Sequence, residues 1–406
     1  MPDRPAGDHK HGGLHVVISH YRHCPAVLQL RGIDTGNHHA DIRHHPVCFK
    51  EGQAVKILVC AGGTGGHIMP AVAIAHAIAD ALPEAKILFI GTDRGMEERI
   101  ARREGLDFIA IKALGIKGKS LGNSLRAAAV NIRAFVTARK IVREFNPAWV
   151  IGCGGYITGM VVLAGFIHGC RCAIQEQNSV AGLTNRILSR IAHRIFLAFP
   201  DPEQTFAPHK SILAGNPVRK DILAAAKDTD RTNLLILGGS LGASSINRSC
   251  VDAMKILKDQ GPVPEIVHQT GTADLTRVNR AYEEMGLAAR VVDFIDDMSL
   301  AYAKSSLAVC RCGGLTLSEL SRTALPAIMV PYPHATDNHQ MKNALYVASK
   351  GGGWIIPDDH LTPERLALEI RIRLADRDGL LEASSNMASL GLGNGSERIA
   401  QEILSV

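Results

Sequence analysis

No stretch of the chain is apolar for long enough to cross a bilayer. The longest such run, Met160 to Ile167, falls far short of the roughly 20 residues a membrane helix needs. The first residues, MPDRPAGDHKH, contain no apolar core of a secretory signal, so an exported protein is not expected. Paired-cysteine motifs are also missing. The nine cysteines are odd in number and scattered, which suits a reduced cytosolic protein better than a disulfide framework. Cys-Arg-Cys occurs at 170–172 and 310–312, but no C-x-x-C or H-x-x-x-H pair accompanies either copy to complete a metal site. Small buried thiols in strands are the expected reading. Excess charge is absent too: 45 basic against 39 acidic residues leave +6, which excludes a nucleic-acid-coating protein.

What remains is a 406-residue chain, 46% apolar and 21% charged, the balance of a globular protein long enough for two domains. Residues 1–54 hold nine of the 18 histidines and show no sustained periodicity, so they read as a disordered or non-native extension. From Val55 onward short apolar runs alternate with amphipathic stretches. Strands are expected at 55–60, 85–91, 108–111, 148–152, 171–175, 194–198 and 211–214, then at 234–238, 265–269, 290–295, 306–310, 327–331 and 353–357. Helices are expected between them, at 70–82, 124–145, 181–192, 244–259 and 318–323. Continuous apolar strands separated by helices imply parallel sheets covered on both faces. Two such series, broken at the polar stretch 224–233, imply two doubly wound α/β domains, 55–222 and 223–392.

Four glycine turns leave these strands: AGGTGGH (61–67), GCGGYITG (152–159), LGGSLGA (237–243) and CGGLT (312–316). Glycine lets backbone N–H groups approach an anion, and a following helix start adds unsatisfied donors. None has the G-x-G-x-x-G spacing of a dinucleotide site, and no G-x-x-x-x-G-K-[ST] phosphate loop occurs. Four turns at equivalent places favour a phosphorylated ligand. Glu319, one helical turn after Thr316, is wrong for phosphate but suits a sugar diol. His67 closes the first turn, where either a structural hydrogen bond or proton transfer is open to it.

The segments AGGTGGHIMPAVAIA (61–75), GCGGYITG, EQNSVAGLTN (176–185), GNPVR (215–219), GGSLGA, HQTG (268–271), FIDDM (294–298), CRCGGLTLSEL (310–320) and HATDNHQ (334–340) occur together in one order. In this the chain, from about Val55 to its end, resembles the bacterial UDP-N-acetylglucosamine:lipid I N-acetylglucosaminyltransferases. The resemblance implies a GT-B fold, two Rossmann-like domains facing a cleft, with a last helix, about 393–406, returning to the first domain. It implies GlcNAc transfer from UDP-GlcNAc to the MurNAc 4-hydroxyl of undecaprenyl-diphosphoryl-MurNAc-pentapeptide, with inversion. It places the donor phosphates at Ser240 and Arg219 with Gly314, Leu315 and Thr316, uracil at the Ile295 backbone, and ribose at Glu319. The donor sugar falls to Asn178, Gln340, Thr64, Gly65 and Gly66, the acceptor to His67, Tyr156 and Asn185, and the base to His67. No cofactor is required, Mg²⁺ being at most stimulatory. The expected partners are the two substrates, an anionic membrane surface on the cytoplasmic side of the inner membrane, and cell-wall and division proteins.

The chain departs from the family at Gln175, where a histidine is common, at Met160 for proline, and at Cys312 for serine or alanine. Gln175 cannot accept a proton at neutral pH. Two other readings stay open: another GT-B UDP-sugar enzyme, either a 2-epimerase or a glycosyltransferase with a different acceptor, and an inactive nucleotide-sugar-binding membrane scaffold.

Between Lys112 and Phe145, eight basic residues (Lys112, Lys117, Lys119, Arg126, Arg133, Arg139, Lys140, Arg143) stand against one acidic residue, Glu144. Leu125, Ala129, Ile132, Val136 and Ile141 recur among them at mostly helical spacing, as in a helix that lies on anionic lipid.

Overall fold

The computed structural model describes residues 54–405 apart from 64, 94, 115–120, 224–230 and 239–242, with the backbone but not the side chains of 121–128 and 223. The expectation for residues 1–53 lies outside the described residues.

The first lobe is built on seven strands: β1 (Lys56–Cys60), β2 (Lys86–Thr92), β3 (Asp107–Ile111), β4 (Trp149–Gly152), β5 (Arg171–Glu176), β6 (Arg194–Leu197) and β7 (Ser211–Leu213). They lie in the order β3-β2-β1-β4-β5-β6-β7, every pairing parallel. The second lobe has six: β8 (Asn233–Leu237), β9 (Ile266–Gln269), β10 (Ala289–Val292), β11 (Ser305–Cys310), β12 (Ala327–Met329) and β13 (Gly353–Ile355). Their order is β10-β9-β8-β11-β12-β13, again all parallel. Helices cover both faces, which is why Ile57, Leu58, Val59 and Cys60 of β1 are all buried although their side chains alternate in direction.

The helices follow the same logic. Helix Ser244–Gln260 buries Ile246, Cys250, Ala253, Met254 and Leu257, one stripe at helical spacing. Helix Tyr156–His168 stops at Gly169, whose left-handed φ of 87° lets its N–H return to the last turn. Cys170, Cys172, Cys310 and Cys312 are buried free thiols. Helix Gly395–Leu404 leaves the second lobe and packs on helix Gly65–Ala81 of the first.

Two expected elements end three or more residues early. The strand expected at 290–295 ends at Val292, because Asp293 turns the chain by accepting the Phe294 N–H at 2.9 Å. The helix expected at 181–192 is only Leu183–Leu188. Ser189–Ala192 continue as a tighter turn in which the Arg190 N–H reaches Ile187 O and the Ile191 N–H reaches Leu188 O.

Candidate active site

In the first lobe β1 and β4 are neighbours whose crossovers run to opposite sides, and the crevice this opens lies at their carboxyl ends. The two glycine turns meet there backbone to backbone. Cys153 N–H donates to Cys60 O at 2.8 Å and Gly62 N–H to Gly154 O at 3.2 Å. A Cβ at Gly155 (φ 83°) would stand 2.1 Å from Gly62 O, and one at Gly154 (φ 103°) 2.4 Å from His67 Nδ1. Only glycine fits either position. Buried Glu97 pins the first turn, accepting from Gly63 N–H at 2.9 Å and from the Thr92 hydroxyl at 2.7 Å.

Helix Gly65–Ala81 then begins with Gly65 and Gly66 and has no acidic residue in its first turn, leaving its N–H donors to an anion. Tyr156 opens helix Tyr156–His168 beside them and is partly exposed. Thr64 lies outside the described residues. His67 is half-buried, with Nδ1 3.1 Å from Gln177 Oε1. Burial pulls its pKa below the ordinary value, opposed by the Glu176 carboxylate and reinforced by His339. The ring is therefore neutral at pH 7 and holds one lone pair.

The second lobe presents side chains. Helix Gly314–Thr323 starts with Gly314, Leu315 and Thr316 and again has no acidic residue in its first turn. Glu319, on that helix, accepts the Tyr302 hydroxyl on Oε2 at 2.7 Å. Burial raises its pKa to about 7, against the lowering pull of that hydrogen bond and of the nearby Arg219. Arg219 also meets Asp221 at 3.6 Å, and both line a charged crevice of about 330 Å³ with Val72, His76, Arg103 and Asp296. Ser240 lies outside the described residues.

The lobes touch between these two clusters. The Gln177 carbonyl sits where a Cβ on Gly314 would be, 2.1 Å away. Ser179 N–H donates to Asn343 Oδ1 at 2.8 Å, and Asn343 Nδ2 to Asn178 Oδ1 at 3.1 Å. Gln340 lies on the same side, its Oε1 taking the N–H groups of Cys312 at 3.1 Å and Tyr332 at 2.9 Å.

The expected residues thus fall into a first-lobe group (Gly65, Gly66, His67, Tyr156), a second-lobe group (Arg219, Leu315, Thr316, Glu319) and a seam (Asn178, Gly314, Gln340). Asn185 stands apart. It is buried, and its Nδ2 donates to Glu176 Oε2 at 2.8 Å and to Gln175 O at 3.2 Å, so its amide nitrogen holds Glu176 while its Oδ1 has no hydrogen-bond partner. The Ile295 N–H is likewise engaged, by Gln269 Oε1 at 3.1 Å. Gln177, Asn216, Asn343, Ser318 and Tyr302 were not foreseen. Gln177 and Asn216 lie within motifs quoted above; nothing in the sequence signals Tyr302.

Models of the glycosyltransferase family 28 N-terminal and C-terminal domains match residues 57–197 and 233–403. A UDP-N-acetylglucosamine–N-acetylmuramyl-(pentapeptide) pyrophosphoryl-undecaprenol N-acetylglucosamine transferase of Myxococcus xanthus is 37% identical over 85% of this chain and 91% of its own. The enzyme of the same name from Anaeromyxobacter dehalogenans is 38% identical over 87% of this chain and 92% of its own. The chain belongs to this transferase family. It is a GT-B glycosyltransferase, and the crystal structure of Acinetobacter baumannii MurG superposes on it with a TM-score of 0.70 at 30% identity, covering 87% of this chain and all of that one. A UDP-N-acetylglucosamine 2-epimerase reaches a TM-score of 0.62 at 14% identity, covering 87% and 96% of the two chains, which shows a shared fold alone.

Proposed function

We propose that this family member moves GlcNAc from UDP-GlcNAc to the 4-hydroxyl of MurNAc in undecaprenyl-diphosphoryl-MurNAc-pentapeptide, by one in-line displacement at a membrane surface. The observation that carries the reading is that Gln177, at the seam, touches both the imidazole beside the first lobe's glycine turns and the helix start that leads to Glu319 in the second. The acceptor diphosphate rests on the N–H groups at Gly65 and Gly66, near Tyr156. The acceptor hydroxyl attacks C1 of the α-linked sugar and gives its proton to His67. The C1–O bond to UDP breaks with its electron pair on the phosphate oxygen, so the product is β-linked. Arg219 and the N–H groups at Gly314, Leu315 and Thr316, with Ser240, stabilise the leaving diphosphate. Glu319 takes the ribose hydroxyls, Tyr302 keeping one of its oxygens in place. Uracil reads Ile295 through the carbonyl, since Gln269 occupies the N–H. Asn178 and Gln340 meet the GlcNAc, Gln340 through its amide nitrogen.

A membrane-bound acceptor fits the outer face of the first lobe. Helix Leu121–Phe145 buries Ala134, Ala138 and Val142, whereas Ile132 and Val136 are 66% and 62% exposed. They stand among exposed Arg133, Arg139, Lys140 and Arg143. Helix Tyr156–His168 packs alongside and exposes Leu163, Phe166 and Ile167. Apolar side chains inside a basic rim suit the interface of an anionic bilayer. Lys117, Lys119, Leu125 and Arg126 lie outside the described side chains. Among the described residues no helix is long and apolar enough to cross a membrane. The attachment proposed from the basic, apolar face is peripheral, on the cytoplasmic face of the inner membrane.

The test is UDP release by purified protein given UDP-GlcNAc, with and without a short-chain acceptor analogue. Acceptor-dependent release with a disaccharide product is expected. Release without acceptor would replace the reading by hydrolysis or epimerisation, and UDP binding without release would replace it by the scaffold.

A further inference from the structure

One hydrogen-bonded series runs from His67 to the helix that starts at Gly314, and backbone carbonyls fix the direction of every link. Gln177 Nε2 donates to Cys153 O and to Gln175 Oε1, each at 2.5 Å. A carbonyl only accepts, so the Gln177 nitrogen must occupy that end and its Oε1 the end facing His67 Nδ1. Asn216 Nδ2 donates to Gln177 O at 3.1 Å and to the Ser318 hydroxyl at 2.8 Å. Its Oδ1 therefore receives Gln175 Nε2, at 2.8 Å. Ser318 passes its own hydrogen to Gly314 O at 2.8 Å. All five of Gln175, Gln177, Asn216, Ser318 and Gly314 are buried, so water cannot substitute for any member of the series.

The consequence falls on the imidazole. Gln177 Oε1 carries no hydrogen, so Nδ1 must supply one, and a neutral ring then has its lone pair on Nε2. Free histidine prefers the opposite arrangement. A Cβ on Gly154 would stand 2.4 Å from Nδ1, so glycine there leaves this edge of the ring its place beside Gln177, and the Cys153 carbonyl is a second acceptor within reach of the ring.

We infer that Gln177 is a positioning residue for the transfer: it holds His67 with hydrogen on Nδ1 and the lone pair on Nε2, the nitrogen that receives the acceptor's proton. When Nε2 takes that proton, the Nδ1–H to Oε1 bond becomes charge-assisted and strengthens as the imidazolium forms. Gln175, which has no basicity of its own, serves here as the link that keeps Gln177 oriented. Because the series ends on the helix expected to hold the donor diphosphate, a shift between the lobes would loosen Gln177 and misalign the base. The destination of the proton rests on the transferase reading; the tautomer does not.

The experiment is ¹⁵N NMR of histidine-labelled full-length protein without ligands, with His67→Ala to assign the resonance, alongside kinetics of Gln177→Met and Gln177→Glu. The wild-type ring should show protonated Nδ1 and bare Nε2 above its pKa. Gln177→Met should move the hydrogen to Nε2 and lower kcat about 10- to 100-fold with the KM for UDP-GlcNAc unchanged. Gln177→Glu keeps the oxygen that faces Nδ1, gives up the hydrogens donated to Cys153 O and Gln175 Oε1, and adds to the negative charge already facing the ring from Glu176, against the opposing His339. It should recover part of kcat and move the acid limb of the pH profile upward. A wild-type ring protonated on Nε2 would overturn the inference, and that reading needs no variant to fold. So would Gln177→Met retaining kcat, or losing activity with the tautomer unchanged. A wild-type chain that shows the expected tautomer yet forms no disaccharide would count against the transferase reading alone.

Discussion

The two lobes share a topology and solve different recognition problems with it. In the first, the glycine turns after β1 and β4 press backbone on backbone, and what they offer is N–H groups and a single imidazole. In the second, the turn after β11 leads to side chains: Glu319 held by Tyr302, with Arg219 beside it. One site is therefore sensitive to shape, because a methyl group added at Gly154 or Gly155 has nowhere to go. The other is sensitive to protonation, because its carboxylate titrates near neutrality. A parallel sheet fixes where a ligand binds, and the residues on its loops decide whether the ligand is gripped by geometry or by charge.

The contrast can be broken most severely at the imidazole. His67→Ala should lower kcat by about 10² to 10⁴, the usual share of a general base, while UDP still binds; disaccharide formation and UDP titration would show it. Next comes shape. Gly154→Ala forces both a left-handed backbone and a contact of 2.4 Å with the His67 ring, and should cost about 1–3 kcal/mol in urea unfolding as well as activity. Gly65→Ala is its control, for nothing lies within 4 Å of an added Cβ there, and folding should be unaffected.

Protonation gives a smaller and graded effect. Only ionised Glu319 can accept two ribose hydroxyls, so UDP affinity should fall about tenfold per pH unit below 7 and level off above it; calorimetry on Glu319→Gln should show that limb flattened. The raised pKa has the reverse sign for folding of the free chain. Between 4.5 and 7 the folded state keeps a proton that the unfolded state loses, so this position subtracts stability as pH rises through that window. The smallest effect should come from outside the cleft. Ile132→Glu with Val136→Glu should weaken binding to anionic liposomes while transfer to a short-chain acceptor in solution stays near that of the unaltered chain.

The sheets were readable because burial on both faces turns a strand into an unbroken apolar run, and the glycine turns because few residues serve at such bends. The motifs brought His67, Arg219 and Glu319 forward individually. What could not be read was pairing at a distance. The Tyr302 hydroxyl reaches Glu319 from another helix, and Asn216 meets Ser318 across 102 positions, with no periodicity to betray either. Helix Leu121–Phe145 shows a second limit. Its apolar residues form two stripes, and the spacing alone did not say that Ala134, Ala138 and Val142 face the core while Ile132 and Val136 face out. Nor does the motif around Asn185 reveal that its amide nitrogen is spent on Glu176.

The chain passes between the lobes twice, once after β7 and again before helix Gly395–Leu404, and the two passages are bonded to each other. Asn216 N–H donates to Leu392 O at 2.5 Å and Gly395 N–H to Asn216 O at 3.0 Å. The lobes are thus joined by two lengths of chain tied side by side, and each steadies the other where it crosses. A chain ending at Gly391 would lose one of the two ties together with the helix Gly395–Leu404 that packs on the first lobe, so a single strand of chain would carry the whole junction.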